Sequence, residues 1–238
     1  MTKSNSDKFI PVVKELQQFA FSQQGSITIL RCLGYGLLAL ALFDAIEMLV
    51  PPNFLNPGWE FQTIGGLIER VPVPLIGFVM VFFGELYSRT KWEIPLLKFL
   101  SWMTLLLGVI FILFIPLGII NTVRLNTHSI AQIQTASTQQ MSQAEQLEKQ
   151  LSQTSAEQIN NFLESQGRSL EGKKPEEVKS QLISELSKAK EQIKVQAQTT
   201  QSLQGLKLIK TSAKWNLGAL VAAVLFISIW KGTGWART

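Results

Sequence analysis

The sequence predicts an all-α integral membrane protein: four transmembrane helices, with a long extracytoplasmic antiparallel helical hairpin between the third and the fourth. Three observations carry that prediction. Four apolar stretches, about residues 27–50, 71–86, 94–120 and 215–230, can each cross hydrocarbon roughly 30 Å thick at a rise of about 1.5 Å per residue, the second and fourth barely. One polar insert, residues 122–213, is rich in Gln, Ser, Ala, Glu, Lys and Leu and nearly free of Gly and Pro outside 166–175. The composition, 46% hydrophobic and only 16% charged, is poor in charge for a soluble domain.

Residues 1–26 form a cytoplasmic amphipathic segment. Phe9, Val12, Val13, Leu16 and Phe19 recur on one helical face, opposed by Lys8, Lys14, Glu15 and Gln18, the pattern of a short helix lying on the membrane surface. Pro11 confines that helix to the residues after it. The first apolar stretch is too long for a signal peptide and lacks a small-residue cleavage pattern, so it stays as a span. Cys32, the only cysteine, lies in it, which excludes an intrachain disulfide and a thiolate metal cluster.

Residues 27–121 make a three-helix transmembrane region with an interfacial loop at 51–71. Pro51-Pro52 and Asn56-Pro57-Gly58 demand a turn, and Trp59, Phe61, Ile64, Leu67 and Ile68 suit a short helix at headgroup level. Pro116 and Gly118 interrupt the end of the third span and predict a kink. Basic residues decide orientation: Lys3, Lys8, Lys14 and Arg31, then Arg89, Lys91 and Lys98, then Lys231 and Arg237 all fall on one side, so both termini are expected in the cytoplasm. The net charge of +5 is spread along the chain without a recognition motif, which excludes nucleic acid as a partner.

Residues 122–213 read as the hairpin. Its tip lies at 166–175, where Gly167 and Gly172 break the helical run and Pro175-Glu176-Glu177 starts the second arm, since proline is tolerated in a first turn and acids there complement the helix dipole. Leu182, Leu186, Ala189, Ile193, Gln196, Thr200 and Leu203 alternate spacings of four and three, as do Ile130, Ile133, Ser137, Gln140, Ala144, Leu147, Leu151 and Thr154. Antiparallel folding brings Leu147 near Ile193 and Gln140 near Thr200, apolar on apolar and polar on polar. Leu147, Leu151, Leu182, Leu186, Ile193 and Leu203 are the expected contact seam. Residues 214–238 form the fourth span, where Gly218, Ala219, Ala222 and Ala223 permit close packing, and a short cytoplasmic tail.

Reactive groups are few. Asp44 and Glu47 share a face near the outer end of span one, and Glu69 and Arg70 open span two on the same side. Acids at membrane depth are functional suspects. They suit a salt-bridged collar joining the spans, an outward-facing interaction site together with Trp59 and Glu60, or, last, ion transport, which needs polar residues continuing through the membrane. Glu85 and Arg89 suit a pair at the other end. His128 is the only histidine, so no histidine triad or metal cluster can be assembled. No catalytic, metal or cofactor-binding residue is assigned, and the protein is expected not to be an enzyme.

Trp59-Glu60-Phe61-Gln62-Thr63 followed by Glu69-Arg70-Val71-Pro72-Val73-Pro74, with Gly84-Glu85, Leu97-Lys98-Phe99-Leu100-Ser101-Trp102 and the run from Ile115 to Thr122, resembles the HpsJ-like membrane proteins of cyanobacteria over about residues 30–125. The resemblance implies a cyanobacterial plasma or thylakoid membrane and a role near hormogonium polysaccharide production; it transfers no catalytic residue. The expected function is a non-enzymatic scaffold or accessory subunit whose hairpin contacts protein partners or other copies of the chain. Alternatives are a chain-length regulator of the polysaccharide co-polymerase type, a subunit of a thylakoid assembly, and a transporter component.

Overall fold

The computed structural model describes residues 6–84, 89–155, 158 and 175–237, with the backbone alone for 6–24 and 175. Among these the chain is all-helical: α1 (Ser6–Leu49), α2 (Pro57–Arg70), α3 (Pro72–Phe82), α4 (Glu93–Gln153), α5 (Pro175–Gly232) and a 3-10 turn, Gly234–Ala236. Contacts divide it into two compact units. One holds α1 to α3 with α4 up to Thr122 and α5 from Thr211; the other, Val123–Lys210, holds the rest of α4 and α5.

Helix limits follow local chemistry. α1 is unbroken through Pro11 and Gly25, so the amphipathic segment and the first apolar stretch form one helix; the side chains of the predicted surface face lie outside the described residues. It ends just before Pro51-Pro52, where helical geometry is disfavoured. The Asn56 side chain caps α2, accepting from the Gly58 N–H at 2.9 Å and the Trp59 N–H at 3.4 Å, with Pro57 in the first turn. At the start of α4 the Glu93 carboxylate accepts from the Thr90 N–H at 3.1 Å, half of a capping box. α5 starts at Pro175 with Glu176 and Glu177 in its first turn, as the sequence predicts. The rest of the predicted tip lies outside the described residues.

α1 from Gly25, α4 and α5 are each long and apolar enough to cross a membrane. The predicted second span differs. α3 has 11 residues, roughly 16 Å of helix, and meets the length of a span only together with α2, across a bend of 41°. Pro72 and Pro74 cause that bend, because neither has an N–H for the carbonyl four residues back. Val71 N–H instead reaches the Ile68 carbonyl at 3.3 Å. α2 is the short helix that the sequence expects between the first and second apolar stretches.

In the first unit an aromatic layer forms the core. Phe226 is fully buried, stacked on Phe111 at 5.6 Å and meeting Phe78 edge-on at 6.0 Å. Ala219, Ala222 and Ala223 are buried beside it, and a Cβ on Gly218 would lie 2.7 Å from Ile68. The small residues of the last span are therefore packing positions. Large apolar side chains such as Leu40, Phe43, Leu113 and Val224 stay exposed, a distribution suited to lipid. The last residues fold back: Thr233 and Ser101 share a hydroxyl hydrogen bond of 2.8 Å, and Arg237 donates to Ser101 Oγ and to the Trp230 carbonyl, each at 2.6 Å.

The second unit holds antiparallel contacts between α4 and α5. Lys179 Nζ donates to the Ser152 and Thr154 carbonyls at 3.1 and 2.7 Å, a cation on the carbonyl end of α4. Glu148 and Lys190 form an ion pair. Leu151, Leu182, Leu186 and Ile193 are half-buried. Leu147 and Leu203, expected in the seam, are instead 51% and 62% exposed, and Met141, Ala144, Glu148 and Ala197 turn inward beside them. Met141 and Glu148 each lie about 100° around the helix from Gln140 and Leu147, so the inward face keeps Ala144 and Leu151 and replaces only those two positions.

α1 and α3 touch backbone to backbone. A Cβ on Gly34 would come within 2.9 Å of the Gly77 carbonyl oxygen and the Val81 nitrogen, whereas one on Gly36 meets nothing. Gly34→Ala is expected to lower stability by about 1–3 kcal/mol, and Gly36→Ala to stay within about 1 kcal/mol of the parent, measured by thermal unfolding in detergent. Equal effects at the two positions would contradict this contact.

Candidate functional site

The last turn of α2 joins three helices. Glu69 and Arg70 are consecutive, so they point about 100° apart around the helix. Arg70 Nη1 faces Asp44 Oδ2 of α1 at 3.6 Å, while Glu69 Oε1 accepts from Lys214 Nζ at 2.7 Å and from Trp215 Nε1 at 3.1 Å, both on α5. The structure thus brings Asp44, Glu69 and Arg70 together as a collar and supplies α5 partners that the sequence did not suggest. Glu47 is exposed and stands outside it. Trp59 meets Phe54 edge-on at 5.3 Å, and Glu60 lies in the first turn of α2.

Charge alone does not hold this collar. Both ion pairs are about half exposed or more, and such pairs contribute about 0–1 kcal/mol each. Shape does more. Trp215 packs on Phe61 at 4.6 Å and fills the space over Gly65, where a Cβ would overlap the indole at 2.3 Å. Gly66 likewise leaves room for Met48 of α1. Beside the collar, Thr122 donates to Ser212 Oγ at 2.7 Å and Asn216 to the Ser212 carbonyl at 2.9 Å, with Asn121 fully buried.

The opposite end of α3 is closed by arginines. Gly84 has φ +76°, a conformation that favours glycine. Arg31 of α1, 5% exposed, donates to the Phe83 carbonyl at 3.0 Å and the Gly84 carbonyl at 3.3 Å. Arg89 donates to the Val81 carbonyl at 2.6 Å and to the Phe83 carbonyl at 3.4 Å. Burial first, then the neighbouring Arg31 charge, push the Arg89 guanidinium below the usual arginine range. Cations on the carbonyl end of a helix satisfy its unpaired acceptors. In the sequence Arg31 reads as a flanking charge, and only its depth within α1 could have signalled this use. Glu85, expected to pair with Arg89, lies outside the described residues.

Between α1, α3 and α4 runs a cleft of about 430 Å³, lined by residues that include Leu38, Ala45, Phe78, Met103 and Leu107. Among the described residues its only charged lining residues are Asp44 and Arg70 of the collar. Polar side chains elsewhere in this unit are separated. Ser101 and Thr104 lie buried at the arginine end and Asn121 at the collar end, with Gly108, Phe111 and Ile115 between them on α4.

Among the described residues the chain is all-helical, with several helices long and apolar enough to cross a membrane and a charged collar that joins three of them. Its sequence matches the HpsJ-like protein family over residues 25–234, and the chain belongs to that family. The match reaches well past residues 30–125 and includes the polar insert. No curated protein and no solved structure matches the chain.

Arg31→Leu takes the donor from the Gly84 carbonyl and leaves the Phe83 carbonyl only the 3.4 Å contact with Arg89, and is expected to lower stability by about 1–3 kcal/mol. Lys214→Met removes an exposed pair and is expected to lower it by less than about 1 kcal/mol. Unfolding in detergent followed by circular dichroism ranks the two; a larger loss for Lys214→Met would contradict the roles given to the two ends.

Proposed function

We propose that this chain is a non-enzymatic membrane scaffold whose four spans, α2 with α3 counting as one broken span, carry a helical hairpin outside the cytoplasm for protein contacts. Both termini face the cytoplasm, following the positive-inside distribution of Lys and Arg. The antiparallel contacts of α4 and α5 in residues 123–210 are those of a weak coiled coil: among the described residues Ala144 is the one apolar side chain buried there.

One observation carries the contact role. Val195, Leu203, Leu206 and Ile209 of α5 are all more than half exposed on an otherwise polar helix. Apolar side chains kept on a solvated face, beside a seam too polar to need them, suit a partner helix. On this reading, which membership of the HpsJ-like family supports, the partners belong to exopolysaccharide synthesis or export in a cyanobacterial membrane. The separated polar layers give no support to a transport role.

Val195→Glu with Leu203→Glu should leave the folded chain intact, because both positions are exposed. Affinity purification of the double variant from native membranes in mild detergent is expected to lose the partners that accompany the parent protein, with polysaccharide secretion falling in parallel. Unchanged partners and unchanged secretion would overturn the hairpin as the contact element.

A further inference from the structure

We propose that the cleft between α1, α3 and α4 is a lipid site that takes one acyl chain of a phosphodiester lipid, with the headgroup phosphate on Arg70. The inference rests on the cleft and the collar alone and does not depend on the scaffold reading. Its volume of about 430 Å³ falls in the range of small-molecule sites. If a methylene takes about the 30 Å³ of a water molecule, the cleft holds roughly a dozen of them, the better part of an acyl chain.

The lining decides the chemistry of the occupant. Leu38, Ala41, Ala45, Met103 and Leu107 offer no hydrogen bond to a polar guest, so the part inside the cleft is hydrocarbon. Asp44 and Arg70 are the only charged residues along it, and both sit in the collar. The 3.6 Å between them exceeds hydrogen-bond distance. Asp44 thus attracts one edge of the guanidinium without consuming its donors, and the Arg70 side chain remains 48% exposed. A guanidinium fork matches two phosphate oxygens at once. Asp44 offsets the charge of Arg70, so it is the free guanidinium donors that select a lipid with phosphate oxygens over one without them, while the apolar lining selects a chain over a free phosphate.

The two features depend on different parts of the fold. Cleft width follows from Ala39, Ala41 and Ala45 of α1, small residues where larger ones would fill the space. Arg70 is placed by the bend at Pro72, which ends α2 at that residue. A continuous straight helix would carry Arg70 on without turning its last residue toward α1.

The test uses the full chain in dodecyl maltoside micelles, which carry no phosphate, with two photoactivatable probes, a phosphatidylglycerol and a diacylglycerol, each with a diazirine near the end of one chain. Crosslinks are located by mass spectrometry. The phosphatidylglycerol probe is expected to label Ala41, Ala45, Met103 and Leu107 well above the open surface at Leu40 and Leu113. Arg70→Gln should reduce that labelling roughly tenfold, the loss of one charge-assisted hydrogen bond, and Ala45→Phe should remove it by filling the cleft. Should Ala45→Phe fail to fold, Arg70→Gln, changed at a half-exposed position, still decides. Even labelling of cleft and open surface would overturn the proposal. Equal cleft labelling by the diacylglycerol probe, or labelling indifferent to Arg70→Gln, would overturn it as well.

Discussion

Everything in the membrane unit depends on how closely α1 and α3 approach at Gly34 and Gly77. Without side chains at these positions the two backbones touch, and that contact fixes the height of α3 along α1. The height in turn brings Arg31 to the carbonyls of Phe83 and Gly84 at one end and Asp44 to Arg70 at the other. A wider spacing would leave the carbonyl end of a short helix without donors. In hydrocarbon an unsatisfied carbonyl costs several kcal/mol, so the arginine clasp and the glycine contact support one another.

α2 and α3 show how a broken helix is used. Two prolines end hydrogen bonding at Val71, and the freed geometry turns the last residues of α2 toward both α1 and α5. Glu69 and Arg70 then serve different neighbours from adjacent positions. Trp215 fixes the second of these contacts through shape, because its ring occupies the room left by Gly65. Charged pairs at this level are weak, but they set which helices meet, a matter of specificity more than of stability.

Much of this was legible in the sequence, and the failures have physical causes. The apolar stretches, the Asn56-Pro57 cap and the start at Pro175 follow from rules acting over a few residues. The pairing of Asp44 with Arg70 was legible because acids and a base stood at the same depth on successive spans. Partners on α5 were not, since Lys214 and Trp215 are about 145 residues from Glu69 and nothing local ties them. The use of Gly65 and Gly66 emerges only when Trp215 and Met48 are placed. The bend at Pro72 was not legible in the length of the second apolar stretch, because the turn falls at its first residues and α3 alone has 11 residues. The seam of the polar insert was legible at Leu182 and Leu186 and lost at Leu147 and Leu203, which stay exposed while Glu148 and Ala197 turn inward.

In the proposed topology residues 123–210 lie outside the cytoplasm and residue 231 inside it. Single cysteines at Gln139 and at Lys231, both exposed, in a chain with Cys32 replaced by serine, can be probed with a membrane-impermeant maleimide on intact cells. The account predicts labelling at Gln139 without permeabilisation and at Lys231 only after it. Protection at Gln139, or labelling at Lys231 in intact cells, would contradict it.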